Sequence, residues 1–236
     1  MTSPASAVND TIFGTQPVVT IQDQDGNTVA DSTTTVTLTS SNATIGGTLL
    51  NSAVAMDAVA GVANFAGKNV KLTGTIGSKN LTATIAGGIT LTNIVTVTAG
   101  AATKLAIVQQ AAGSVNAVAF TTQPQVVFQD VSGNTVDTTD SIDVASSGST
   151  LSGATSVAAV SGKTTFTNLK LTGAVGSYTL TFSSGALATD QQNITVAYGA
   201  ATKLVLTTQP LGFVNRTNFS TQPVLTVQDV SGNTVE

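Results

Sequence analysis

The chain has 236 residues with a formal net charge of −4, and only 8% of the residues are charged. Nucleic-acid binding needs clustered lysine and arginine to neutralise phosphates, so this composition disfavours a nucleic-acid partner. Histidine and cysteine are both absent, which excludes Ser-His-Asp and Cys-His catalysis, disulfides and thiolate zinc sites. We find neither a signal-peptide pattern in residues 1–10 nor an apolar run of membrane-span length, about 20 residues.

The predicted elements are short strands separated by tight turns. The first is an alternating strand in which Val19 and Ile21 face inward. The turn of residues 22–29 follows, and its Gly26 and Asn27 occupy positions where positive φ is favoured. The next alternating strand carries Val36 and Leu38. Later strands are marked by these apolar positions: Phe65, Val70, Leu72, Leu81, Val95 and Val97.

One segment of the sequence occurs three times. Residues 15–29 return as residues 122–136 and again as residues 221–235. Gly100–Leu105 returns as Gly199–Leu204, which sets a period of 99 residues. The spacing from Asp23 to Asp130 is 107, so the first copy carries eight extra residues, which fall between residues 30 and 71. A repeat of this size indicates modules laid end to end.

The repeated apolar positions predict the same strands in each copy. Val126 and Leu225 correspond to Val19, and Phe128 and Val227 correspond to Ile21, so all of these side chains are expected to face inward. About seven short strands per period, with turns between them and no helical period, is typical of an all-β, two-sheet antiparallel sandwich.

The copies differ in completeness. We expect residues 1–98 to form a first module that lacks its first strand, and residues 99–197 to form a complete module. Residues 198–236 should supply the first two strands of a third. Two explanations of the incomplete copies stay open: the chain is part of a longer array, or its last strands complete the sheet of a neighbouring molecule.

The repeated motifs carry a resemblance to a known family. Gly-Ala-Ala-Thr-Lys-Leu, Thr-Gln-Pro, Gln-Asp-x-x-Gly-Asn-Thr-Val and Leu-Thr-Gly resemble the tandem bacterial immunoglobulin-like (Big-type) repeats of large cell-surface and adhesin proteins. The resemblance implies tandem immunoglobulin-like β-sandwiches and an extracellular structural role as a stalk, surface layer or fibre. The first copy departs from it, since residues 77–81 lack the tyrosine of the second copy and no Thr-Lys-Leu start is present.

The candidate sites are few, and we expect no enzyme. Of the twelve acidic residues only Glu236 is a glutamate, so catalysis would have to rest on aspartates that lie mainly in turns. Asp23, Asp25 and Asn27 offer oxygen ligands at alternate positions, as calcium requires. The other interpretation is a turn stabilised by Asp23, because later copies replace the middle aspartate by Ser132 and Ser231. No other cofactor and no small-molecule substrate is expected.

The candidate assembly element is the strand at the start of the third copy. Its residues, which could be donated to a neighbouring molecule, are Thr202, Lys203, Leu204, Val205 and Leu206. The partners expected from this hypothesis are copies of the chain or flanking modules of the same protein. Two alternative functions remain at this stage: a virion or phage surface decoration protein, and a ligand-binding adhesin region.

Overall fold

The computed structural model describes residues 1–41, 43–46, 49–50 and 53–236. The remaining residues, 42, 47–48 and 51–52, lie in the region where the sequence places the eight-residue insertion. The chain forms two compact units. Unit 1 comprises Met1–Thr103 and Gln129–Val136, and unit 2 comprises Lys104–Phe128 and Asp137–Glu236.

Unit 1 is built from ten strands and one short 3-10 helix, Ala66–Lys68, among the described residues. The strands are β1 (Ser6–Val8), β2 (Val18–Thr20), β3 (Thr35–Ser40), β4 (Thr44–Gly46), β5 (Leu49–Leu50), β6 (Ala53–Asp57), β7 (Val62–Asn64), β8 (Lys71–Thr73), β9 (Gly77–Thr84) and β10 (Thr90–Thr98). The largest sheet has the order β1-β10-β9-β3-β6-β5, and β2-β7 and β4-β8 form two smaller sheets.

Unit 2 repeats this architecture and adds a strand pair. Its strands are β11 (Lys104–Gln109), β12 (Gln125–Gln129), β13 (Ser141–Ser146), β14 (Thr150–Ser152), β15 (Ser156–Ala158), β16 (Lys163–Thr165), β17 (Lys170–Thr172), β18 (Gly176–Ser183), β19 (Asp190–Val196), β20 (Lys203–Thr208) and β21 (Val224–Gln228). The sheets are β15-β13-β18-β19, β11-β12-β16, β14-β17 and β20-β21. In β12 only Gln129 belongs to unit 1.

The cores consist of the apolar positions that alternate along these strands. In unit 1, Val36 and Leu38 of β3 are fully buried, as is Val95 of β10. In unit 2, Phe166 and Phe182 are fully buried, and their ring centroids lie 5.4 Å apart in a tilted arrangement. Side chains of a strand alternate between its two faces, so every second residue reaches the core. The all-β fold class predicted from the sequence is confirmed.

The third copy departs from the expected burial. Leu225 and Val227 of β21 were expected to face inward, but they are 56% and 40% exposed. The reason is that β20 and β21 form a sheet of two strands. Two paired strands cannot bury both of their faces without a second layer packed against them.

Among the described residues, no helix has the length and apolar character needed to cross a membrane.

Candidate assembly site

The turn of the second copy, Gln129–Val136, belongs to unit 1. A buried asparagine of that unit holds it in place. The Asn9 side chain donates through Nδ2 to Asp130 Oδ2 at 2.8 Å and to Ser132 Oγ at 3.0 Å. The backbone N–H of Gly100 donates to Asp130 Oδ2 at 3.0 Å. Asn9 is 2% exposed and Asp130 is fully buried, so this carboxylate is satisfied by protein donors in place of water.

The asparagine of the turn completes the arrangement. Asn134 Oδ1 accepts the backbone N–H of Ile76 at 3.0 Å, and its Nδ2 donates to the carbonyl of Gly74 at 2.8 Å. Gly74 in turn donates its N–H to Asn9 Oδ1 at 2.9 Å. We call this set, formed by Asn9, Gly74, Gly100, Asp130 and Asn134, the unit 1 clasp.

Unit 2 contains the same arrangement with the turn of the third copy. The Asn116 side chain donates to Asp229 Oδ2 at 2.7 Å, and the Gly199 N–H donates to that oxygen at 2.9 Å. Asn233 donates to the carbonyl of Gly173 at 2.9 Å, and the Gly173 N–H reaches Asn116 Oδ1 at 3.0 Å. These five residues form the unit 2 clasp. The five equivalent residues make the same main contacts in both units, so the network is a property of the repeat sequence.

Glycine is required where the backbone approaches the clasp asparagine. A Cβ atom on Gly100 would lie 2.7 Å from the carbonyl oxygen of Asn9. A Cβ atom on Gly199 would lie 2.8 Å from the carbonyl oxygen of Asn116. Both distances are below van der Waals contact, and the atoms met belong to the backbone, which cannot move aside as a side chain can. The Gly-Ala-Ala-Thr-Lys-Leu motif thus begins with glycine for a steric reason.

The clasp holds its aspartate in the ionised form. Burial of Asp130 opposes ionisation, but hydrogen bonds from Asn134, Gly100 and Asn9 outweigh it and lower the pKa to about 2 from 3.8. In unit 2 the burial of Asp229 also acts to raise its pKa. Hydrogen bonds from Asn233, Gly199 and Asn116 overcome that effect and lower it.

The first turn, which contains the calcium candidates, has the same internal geometry but is exposed. Asp23 Oδ1 accepts the backbone N–H groups of Asp25 at 3.0 Å and Asn27 at 2.9 Å. Asn27 directs its Nδ2 donor, not its oxygen, to Asp23 Oδ2 at 3.2 Å. These bonds, led by those of Asn27, lower the pKa of Asp23. The turn therefore brings the three residues together with one carboxylate engaged by amides.

Among the residues that the structure describes, no group of three or more acidic side chains is placed to hold a metal ion. Calcium binding at Asp23, Asp25 and Asn27 stays a hypothesis from the sequence. The glycine of each turn has positive φ, 88° at Gly26, 84° at Gly133 and 87° at Gly232. Positive φ was also expected at the asparagine beside each glycine. None of these asparagines adopts it, and the second and third use their side chains in the clasps instead.

Unit 1 has an open groove beside β2. Three of its lining residues are polar, Thr20, Gln22 and Thr90. The apolar ones are Val19, Ile21, Ala83, Ile85, Ile89 and Leu91. Ile89 is 66% exposed and Leu91 is 45% exposed. Thr2 pairs with Val18 at one end of β2, and beyond Val18 no other described strand lies along this edge, because β7 alone shares the sheet with β2.

In unit 2 the equivalent position is filled by β11. This strand pairs with β12, the counterpart of β2. The Leu105 N–H donates to the carbonyl of Ala188 at 3.0 Å, and the Ile107 N–H donates to Asp190 Oδ2 at 2.7 Å. Ala188 and Asp190 are the counterparts of Ile89 and Leu91 at the 99-residue spacing. The groove of unit 1 therefore corresponds to the position that β11 occupies in unit 2.

The candidate donated strand lies in β20. Thr202 is exposed and precedes β20, and its backbone N–H donates to the Gln228 carbonyl. Lys203 pairs with Gln228, and the next three residues, Leu204, Val205 and Leu206, pair with Val227, Thr226 and Leu225. Leu204 is 67% exposed and Leu206 is 40% exposed, whereas Leu105, the counterpart of Leu204 in β11, is 4% exposed.

Sequence reasoning missed the role of the clasp asparagine. A signal was present, because the dipeptide Val-Asn occurs at Val8-Asn9, Val115-Asn116 and Val214-Asn215. The three dipeptides occupy equivalent positions in the three copies of the repeat. The contact itself could not be inferred from spacing, since Asn9 and Asp130 are 121 residues apart and Asn116 and Asp229 are 113 residues apart. The difference between these two separations is the eight-residue insertion.

No protein-family model matches the chain, and no curated protein matches it. Several solved structures are similar to the chain. The surface layer protein SbsC, domains 1–6, is 18% identical with a TM-score of 0.33, over 94% of this chain and 30% of that one. A β-glycosidase from Bacteroides vulgatus is 14% identical with a TM-score of 0.36, over 76% of this chain and 24% of that one.

The fibronectin(III)-like modules of Clostridium thermocellum CbhA are 7% identical with a TM-score of 0.25, over 83% of this chain and 90% of that one. The chain thus spans between a fifth and a third of the length of the β-glycosidase and surface-layer structures. With TM-scores between 0.25 and 0.36, these likenesses carry no argument about what this chain does.

Proposed function

We propose that the chain is a structural, non-catalytic part of an extracellular bacterial surface protein, built from tandem Big-type repeats in a stalk, surface layer or fibre. The observation that carries this proposal is the repetition of the clasp. Asp130 and Asp229 are each buried against an asparagine from the preceding copy of the repeat. Repeat arrays derive stability from units and from contacts between consecutive repeats, and a contact that recurs with the period is suited to an array.

The composition supports a structural role. The chain has neither histidine nor cysteine, and its twelve acidic residues are almost all aspartates. The aspartates with lowered pKa values are engaged by hydrogen-bond donors, as at Asp130 and Asp229. A catalytic acid or base needs a pKa near the working pH, and these two carboxylates are held far below it. The proposed partners are copies of the chain or flanking modules of the same protein.

Immunogold electron microscopy of the source cells tests this proposal. Antibodies raised against the purified chain should label the outside of the cell, on filaments, on a sheet or on isolated rods, and the shape identifies the kind of assembly. Pre-immune serum is the control. Label confined to the cell interior would overturn the extracellular assignment.

A further inference from the structure

The open groove of unit 1 and the exposed strand β20 have complementary surfaces. The groove presents apolar side chains, and two of them, Ile89 and Leu91, are 66% and 45% exposed. Strand β20 presents Leu204 and Leu206, which are 67% and 40% exposed. Leu204 lacks the apolar cover that its counterpart Leu105, which is 4% exposed, has in β11.

We propose that the groove of unit 1 binds β20 of a second copy of this chain, so that molecules join head to tail. This inference rests on the proposed structural role and names the partner. The incoming strand would take the place that β11 has beside β12. There it would pair with β2, which is the counterpart of β21 in the first copy. Strand β20 would therefore exchange its partner β21 for the equivalent strand β2.

The register follows from the pairing of β20 with β21. Val205 lies opposite Thr226 and Leu204 lies opposite Val227. Thr20 and Ile21 are the counterparts of these two residues in the first copy. Docking therefore places Val205 opposite Thr20, and Leu204 opposite Ile21. Thr2, which already pairs with Val18, limits the docked strand to Lys203–Leu206.

The first turn supplies the polar end of the same site. In unit 2 the Gly199 N–H and the Asn116 side chain both donate to Asp229. Asp23 occupies the equivalent position of the first copy and is exposed. When β20 docks in the groove, Gly199, which precedes this strand, comes to the first turn, and Asp23 can take the place of Asp229. The hydrogen bond that Gly199 makes within its own chain is thus replaced by an equivalent one between chains.

Burial drives the exchange toward the docked state. Four of the five paired residues of β20 keep an equivalent partner and only the Thr208–Val224 pair is lost, so strand pairing changes little between the two states. Leu204 passes from an exposed sheet face to a position where its counterpart Leu105 is buried, and Leu206 passes to the half-buried position of Ile107. Burying apolar surface is favourable in proportion to its area. Residues 209–236 would be released from β20 by the exchange.

Cysteine cross-linking tests the proposal, because the chain contains no cysteine. Thr20→Cys chains are mixed with size-tagged Val205→Cys chains under mild oxidation. Residues opposite each other on neighbouring strands have Cβ atoms within disulfide reach. We expect at least about tenfold more mixed dimer than with Thr217→Cys chains, whose cysteine lies in an exposed loop. Equal yields with the two partners would overturn the proposal.

A second variant separates docking from folding. Leu204 is exposed, so Leu204→Asp should leave the melting temperature of the chain unchanged. When Leu204→Asp is introduced into the Val205→Cys chain, the yield of mixed dimer should fall by at least about tenfold, because the substitution places a charge in an apolar groove. Leu211→Asp, at an equally exposed leucine, should not. Undiminished cross-linking of the Leu204→Asp chain would contradict docking through β20.

A synthetic peptide of residues 198–209 distinguishes the source of the strand. Binding of this labelled peptide to the intact chain, with about tenfold weaker binding to an Asp23→Ala chain, is expected. If the peptide binds but intact chains give no mixed dimer, the groove takes a strand from another module, and the second-copy proposal is wrong. These outcomes do not depend on cell labelling, so the two proposals can fail separately.

Discussion

Asn9, Asn116 and Asn215 occupy one position of the repeat but differ in environment. Asn9 and Asn116 are 2% and 1% exposed and hold the clasp aspartates, whereas Asn215 is exposed. Asn9→Ala should lower the free energy of unfolding of unit 1 by about 2 kcal/mol, because it removes one donor from the buried Asp130 carboxylate and leaves the Gly74 N–H without its acceptor. Hydrogen exchange measured by mass spectrometry should show faster exchange in unit 1.

Asn215→Ala is the matched control, and it should change the stability by no more than about 0.5 kcal/mol. If both substitutions had equal effects, the clasp would have no energetic importance.

The clasp aspartates also determine how stability depends on pH. The pKa of Asp130 is about 2 in the folded chain against 3.8 unperturbed. A lowered pKa in the folded state contributes stability that is fully present above pH 3.8 and is lost as the pH falls through about 2. The melting-temperature difference between the native chain and Asp130→Asn should therefore be constant above about pH 4.5 and shrink toward pH 2. A difference that stays constant down to pH 2 would contradict this.

At the scale of elements, β11 and β20 show how one sequence motif acquires two environments. Both strands begin with the Lys-Leu of a Thr-Lys-Leu motif, but Leu105 is 4% exposed and Leu204 is 67% exposed. Leu105→Ala should lower the free energy of unfolding of unit 2 by about 3 kcal/mol, because it leaves a cavity. Leu204→Ala should cost less than about 0.5 kcal/mol in the monomer at low concentration. Urea unfolding followed by hydrogen exchange measures both, and equal losses would contradict the assigned burial.

The sequence predicts strands well where they are amphipathic. Val36 and Leu38, and Val95 and Val97, alternate with polar residues and are buried in β3 and β10, because period-two alternation reflects one buried face. The same reasoning is wrong for Leu225 and Val227, since the pattern of a strand does not reveal whether a second sheet covers it. The clasp escaped prediction because more than half of its donors are backbone N–H groups. Such groups leave no trace in residue type except at Gly100 and Gly199.

At the scale of the whole molecule, stability should come from burial and hydrogen bonds and very little from ion pairs. The chain has only 8 basic and 12 acidic residues. Within the described part of the chain, the one ion pair joins Lys71 and Asp10 at 2.6 Å, and both side chains are more than a third exposed. Exposed ion pairs contribute little and are screened by salt.

The melting temperature should accordingly change by less than about 2 °C between about 0.05 M and 1 M sodium chloride. Calorimetry at several salt concentrations measures this. A fall of many degrees in high salt would show that charge interactions carry more of the stability than the described contacts indicate.

The two clasps have a consequence for how genes of this kind can change length. Each clasp joins an asparagine of one copy to an aspartate of the next, and the partners are chemically identical in both. Unequal recombination at matching positions of the repeated DNA would remove or add one whole period. Asn9 would then meet Asp229, or a further copy of it, with every donor and acceptor in place. Arrays of different lengths can therefore arise in a single genetic step, without any compensating substitution at the junctions.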